Sequence, residues 1–265
     1  MCLVAFAYRR HPRYPLAVIA NRDELHARPT AIAGVDACDR DLYGGRDLAQ
    51  GGGWLMVSRR GRLAAVTNVR VPPLGARFPR SRGALVRDFV ADDAGVDAFL
   101  DGLAREAGDH GPFNLVLWDG QRMACAGNHP GFARQAVAPG LHAVSNGPFD
   151  APWPKSNLAS RALSAWIDNG LPADAREADV APLLDALADR TPAPDPALPD
   201  TGIGLALERR LSPPFVRDPV YGTRCSSIVL VQEHGIRFVE RRFGPDAEVL
   251  GESDAWLPLV ARMAS

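Results

Sequence analysis

Cys2 stands directly behind Met1 and in front of the apolar run Leu3–Tyr8. Once Met1 is removed, Cys2 carries a thiol and a free α-amino group on the same carbon. A free α-amine has a pKa of roughly 7.7–8.0 and an unperturbed thiol one of about 8.5. The amine is then a built-in base for its own nucleophile, the logic of N-terminal-nucleophile hydrolysis. A small second residue such as Cys permits Met removal. Read as packing alone, Cys2 is a small buried residue opening an edge strand. The neighbours of Cys2 decide between the two readings.

Leu3–Tyr8 and Leu16–Ala20 read as two strands joined by the polar turn 9–15. Their near-continuous apolar character predicts central strands covered on both faces. The hairpin returns Asn21, Arg22 and Asp23 to the side of Cys2. Asp23 is placed to orient an α-amine, and the fixed positive charge of Arg22 favours a thiolate. An ordinary Arg22–Asp23 ion pair is the plainer alternative. The segment 41–47 leads to the run 51–58, a strand Leu63–Asn68 follows the turn 59–62, and the two runs around Arg59–Gly61 read as a hairpin. Asn68 closes its strand and by itself reads as a turn residue.

Residues 81–90 and 95–105 switch to helical periodicity, with Leu85, Phe89 and Val90 on one face and Val96, Phe99, Leu100 and Leu103 on another. Strands resume at 113–118, 122–126 and 141–145, the last ended by Asn146-Gly147-Pro148. Helices are expected over Ser156–Asn169, capped at Gly170, and over about Ala178–Asp189. The Pro-rich stretch 191–200 is a connector within one domain, 1–265, and a final hairpin spans 225–242. Asn146 either positions the scissile group or simply makes a turn.

Composition narrows the function classes. The 265 residues are 46% hydrophobic and 23% charged, with a net charge of −1, which fits a soluble globular chain and argues against nucleic acid as a partner. Of the 30 Lys and Arg residues only Lys155 is a lysine. Cys2, Cys38, Cys125 and Cys225 are too scattered for a metal site or a disulfide framework, which fits a reducing compartment. No apolar run approaches the roughly 18 residues of a membrane span, and the N-terminus lacks the polarity of a signal peptide. A cytoplasmic location is the expectation. The glycines 51–53 lack the Lys-Ser/Thr of a phosphate loop; with Trp54 they read as a platform and wall beside a pocket, or as a loop and a core Trp. The histidines have no metal-ligand spacing.

Taken together, Cys2, Asn21-Arg22-Asp23-Glu24 with Arg28-Pro29, Gly53-Trp54-Leu55, Leu63–Asn68, Ser145-Asn146 and Tyr221-Gly222-Thr223-Arg224 resemble the pattern of the NRDE family, also called the transport-and-Golgi-organisation family. The resemblance runs from Met1 to about Arg242. It implies an α+β fold, a four-layer αββα sandwich of two antiparallel sheets of the N-terminal-nucleophile hydrolase type. It also links the chain to haem trafficking and to lipid or acyl-CoA homeostasis. More distantly, the chain is similar to choloylglycine hydrolases and penicillin V acylases. That similarity implies Cys2 as nucleophile, Asn68 and Asn146 as the two later site asparagines, and Arg224 as a counterpart of their late Arg. Their Arg-Asn-x-Asp motif is Asn-Arg-Asp-Glu here, which leaves Asp23 and Glu24 as alternatives for the carboxylate facing the amine.

The expected catalytic set is therefore Cys2, Arg22, Asp23, Asn68, Asn146 and Arg224, with Asn21, Glu24 and Trp54 toward substrate. The expected activity is cysteine amidohydrolysis of a C–N bond in an acylated small molecule, with no metal and no cofactor. The competing expectation is a non-catalytic carrier or chaperone holding haem or an acyl chain in the same cleft. The expected partner is a small-molecule ligand or substrate.

Overall fold

The computed structural model describes residues 2–73 and 75–260. The chain opens with β1 (Cys2–His11) and β2 (Tyr14–Leu25), then β3 (Thr30–Val35), β4 (Leu42–Asp47), β5 (Gly53–Ser58) and β6 (Arg62–Asn68). Two helices follow, α1 (Arg82–Ala91) and α2 (Val96–Leu103), and then β7 (Phe113–Trp118), β8 (Met123–Gly127), β9 (Ala133–Ala136) and β10 (Gly140–Val144). After α3 (Pro154–Asp168), α4 (Ala181–Leu187) and α5 (Leu205–Arg210), the strands β11 (Tyr221–Gln232), β12 (Gly235–Phe243) and β13 (Val249–Pro258) complete the fold.

The strands form two antiparallel sheets, one in the order β10-β1-β2-β11-β12-β13 and the other running β3 to β9 in sequence. Strand alternation sends successive side chains to opposite faces, and both faces of each sheet are covered. Val4, Phe6, Val18 and Val229 meet Leu55, Val57, Ala65 and Val116 between the sheets. Leu3, Ala5, Ala17 and Ile19 turn outward onto Leu163 and Trp166 of α3 and Leu183 and Leu187 of α4. On the other side, Met56, Ala64 and Leu115 pack under Leu85 and Phe89 of α1 and Leu100 of α2. The result is the expected αββα sandwich. Two-sided burial is why β1 and β2 read as unbroken apolar runs.

Four strands and one helix were absent from the sequence pattern, for physical reasons. β4 carries Gly44 and Gly45, which weaken a strand pattern. β9 is exposed throughout and has no apolar face to detect. β3 is a short edge strand containing Gly34. β13 is patterned by charge: Glu252 and Asp254 pair with Arg241 and Arg237 of β12, so ion pairs replace an apolar face. α5 spans only six residues. β2 also runs five residues beyond the expected Ala20, carrying Asn21 to Glu24 into the sheet. No helix among the described residues is long and apolar enough to cross a membrane.

Candidate active site

Cys2 opens β1, a central strand flanked by β2 and β10, and its Cα partner across β2 is Arg22. Val4 and its partner Ala20 lie between the sheets, so Cys2 and Arg22, two residues away along each strand, share that inner face. Cys2 is 9% exposed. Its carbonyl lies 2.9 Å from Ser145 Oγ, just past the end of β10. The same hydroxyl is 3.2 Å from Asn146 Oδ1, and its single proton serves one of these acceptors at a time.

The Ser145–Gly147 turn is clamped from the opposite sheet. Thr67 Oγ1 donates to the Ser145 carbonyl at 2.5 Å, and Asn114 Nδ2 donates to the Gly147 carbonyl at 2.9 Å. Asn146 is fully buried, and its Nδ2 donates to the Asn68 carbonyl at 3.0 Å. Asn68 and Asn146, far apart in the chain, are thus joined at the mouth between the sheets. Asn68 is half-buried where β6 ends.

Asp23 and Glu24, the two alternatives left by the shifted motif, occupy different surroundings. Asp23 is 2% exposed and lies one residue past Arg22 on β2, on the opposite face toward the helices. Thr223 Oγ1 donates to its Oδ1 at 2.7 Å, and Tyr221 Oη donates to its carbonyl at 3.0 Å. Burial raises the Asp23 pKa above the ordinary carboxylate value, while the charges of Lys155 and Arg70 and the Thr223 hydrogen bond oppose that rise. Glu24 is half-buried and turned to Arg22 and Arg28, with carboxylate–guanidinium separations of 3.8 Å to each.

The remaining expected residues occupy varied places. The Arg22 guanidinium stacks 4.3 Å from the Trp54 ring, an arrangement worth about 0.5–2 kcal/mol in general. Trp54 is itself part of the inter-sheet core. Asn21 faces the helices: its Nδ2 donates to the carbonyls of Leu187 and Pro214, and Ser226 Oγ donates to its Oδ1 at 2.6 Å. It braces β2 against the helical layer. Arg224 sits at a bulge in β11 and donates to the carbonyls of Leu25 and Arg28, holding the turn after β2. The structure brings Cys2, Arg22, Asp23, Asn68 and Asn146 to one end of the sandwich. It commits Asn21 and Arg224 to main-chain carbonyls beside them.

Four charged residues that the sequence pattern left out also belong here. Lys155, at the start of α3, is 2% exposed and its Nζ lies 3.3 Å from Asn146 Oδ1. Arg70 and Glu208 form a buried ion pair, and Thr201 donates to Glu208 Oε1 through both its amide and its hydroxyl. Arg82, at the start of α1, has its pKa lowered by burial and opposed first by the Cys2 charge. The glycine-rich turn before β5 explains how α1 comes so close. A Cβ on Gly52 would lie 2.2 Å from the Gly83 carbonyl carbon, so the missing side chain lets the helix start rest on the turn. These glycines seat a helix and make no phosphate loop.

Cys125 and Cys225 are buried in strands. Burial pushes the Cys125 thiol up to about 12 and the Cys225 thiol well above its ordinary value, while Cys38 is exposed. Among the described residues no group of three His, Cys, Asp or Glu side chains is placed to hold a metal ion.

A sandwich of two antiparallel sheets between helical layers, with a cysteine opening a central strand, is the fold of the N-terminal-nucleophile hydrolases. A Caenorhabditis elegans N-acylethanolamine-hydrolyzing acid amidase ortholog superposes with a TM-score of 0.53, covering 86% of this chain and 92% of its own, at 11% identity. Within that fold the chain belongs to the Transport and Golgi organisation 2 family, whose model matches residues 1–245. The Transport and Golgi organization protein 2 homologs of Bos taurus and Homo sapiens are 33% and 32% identical, each over 91% of this chain and 92% of the relative.

Proposed function

We propose that the protein is an N-terminal cysteine amidohydrolase that cleaves a C–N bond of an acylated small molecule. One observation carries this reading: Cys2 starts a central strand, and Ser145, which bonds its carbonyl, stands next to Asn146, whose amide holds the main chain of Asn68 at the end of β6. With Met1 removed, the Cys2 amine takes the thiol proton and the sulfur attacks the carbonyl carbon of the amide. Asp23 holds the resulting ammonium by its negative charge, and Arg22 and Arg82 favour the thiolate. Asn146 Nδ2 has a second N–H beyond the one given to the Asn68 main-chain carbonyl, and Asn68 brings a side-chain amide of its own. Together they donate to the oxyanion that develops on the carbonyl. The ammonium proton passes to the leaving nitrogen as the C–N bond breaks. Water then opens the thioester, releasing the acid and restoring the thiol.

The test is turnover of a panel of N-acyl amides of varied chain length and head group, read as free acid released. Asn68→Ala should lower kcat by about 10²–10³-fold, as loss of an oxyanion donor does elsewhere, with KM and the unfolding midpoint little changed. A destabilised Asn68→Ala protein with unchanged kcat would contradict its assignment. Tight binding of haem or of an acyl ligand, with no turnover across the panel, would favour the carrier reading instead.

A further inference from the structure

The chain uses arginine wherever it uses a basic residue, with one exception. Among 30 Lys and Arg residues the single lysine is Lys155, and it is placed in the interior, second residue of α3 and 2% exposed. A guanidinium stays charged in proteins, whereas a buried ammonium loses its proton readily. Arg22, Arg62, Arg70 and Arg237 are buried too, so burial alone does not set Lys155 apart; it is the one buried cation of the lysine type, which can shed its proton.

Lys155 is also fixed in place. Its Nζ lies 3.3 Å from Asn146 Oδ1. A lysine ammonium only donates, so this contact fixes which way the Asn146 amide faces: Oδ1 toward Lys155 and Ser145, Nδ2 toward Asn68. The charged groups around it are Asp23 on β2, Arg70 beyond β6, Cys2 on β1 and Glu208 on α5. Trp153 and Pro154 line a small cavity with Lys155, Arg70 and Glu208, and a Cβ on Gly147 would collide with the Trp153 ring. The start of α3 is packed directly against the Asn146 turn.

We propose that Lys155 is a positioning residue of the Cys2 site: its Nζ orients the Asn146 amide and its positive charge favours the Cys2 thiolate, the second effect lapsing when the amine loses its proton. This inference rests on the reading of Cys2 as a nucleophile. Burial lowers the Lys155 pKa to about 8, against the pull of Asp23, so the change falls close to neutrality. The same shift fixes the sign of a stability effect. Between about pH 8 and 10.5 the unfolded chain holds a proton on this residue that the folded chain has shed, so stability from this group rises with pH across that window. Below about 8 the buried charge is a constant cost, which Lys155→Met removes.

The experiment measures iodoacetamide alkylation of Cys2 from pH 5 to 10 by peptide mapping, with the exposed Cys38 as reference in the same molecule. The wild type, Lys155→Met and Lys155→Arg are compared, each with an unfolding midpoint. In Lys155→Met, folded at least as stably as the wild type at pH 7, alkylation of Cys2 should slow about tenfold at that pH, as loss of a nearby opposite charge implies. Cys38 should be unaffected. Lys155→Arg, which keeps the positive charge, should restore the rate. Profiles for Lys155→Met and the wild type that superimpose, with Cys2 reactive in both, would overturn the role of Lys155 and leave the nucleophile standing. A wild-type Cys2 less reactive than Cys38 at every pH would remove the nucleophile, and this inference with it.

Discussion

Cys2→Ala should abolish turnover of any amide the protein hydrolyses, by at least about 10³-fold in kcat, because no other group can take over covalent attack. Substrate should still bind, since the surroundings of the thiol are retained: Arg22 stacked on Trp54, and the Asn68–Asn146 pair. The Cys2 backbone carbonyl accepts a hydrogen bond from Ser145 Oγ, which alanine preserves. The unfolding midpoint should therefore change little. Steady-state turnover and ligand binding measured on the same preparation separate the two effects. A Cys2→Ala protein with more than a few per cent of wild-type turnover would exclude the covalent route.

The largest effect on stability should come from the Arg70–Glu208 pair. Both side chains are almost wholly buried, at 1% and 3% exposure. Removing one partner leaves the other charge inside without its counter-ion, which costs about 3–5 kcal/mol in comparable buried pairs. Glu208→Gln or Arg70→Met should each lower stability by roughly that amount, read as the shift of a denaturant midpoint at constant slope. Replacing both with apolar residues of similar volume should recover much of the loss, since a buried ion pair gains little net energy over good apolar packing. Losses in the two single variants that simply add in the double variant would show that the residues act independently. Because the Arg70 amide donates to the Asn146 carbonyl at 2.7 Å, loosening this pair should also disturb the turn that carries Asn146.

Much of the scaffold was legible because local rules and tertiary packing agree. The runs Leu3–Tyr8 and Leu16–Ala20 signalled strands covered on both faces, and two apolar layers supply that cover. The hairpin placed Arg22 opposite Cys2. The polar end of β2 was harder, since Asn21 and Asp23 remain in the strand only because Ser226, Thr223 and two helical-layer carbonyls satisfy them. Those partners lie about 165 to 205 residues away along the chain, beyond any local pattern. Lys155, Arg70 and Glu208 were missed for the same reason. Each is a lone charged residue in sequence, and only packing of α3 and α5 against the strand ends brings them together. The singular use of lysine was the available signal for Lys155. The Pro-rich connector hid Glu208, since a structureless stretch gives no warning of the six-residue helix that follows it.

The most direct test of the Cys2 site is mass spectrometry of the N-terminal peptide, before and after brief exposure to a slowly hydrolysed N-acyl amide or an acylating analogue. The account predicts a peptide that begins at Cys2 with a free α-amine, and that gains one acyl group on sulfur during exposure and loses it on standing in water. A peptide that retains Met1 throughout, or one that begins at Cys2 but never acquires the acyl group while acid is being released, would contradict it.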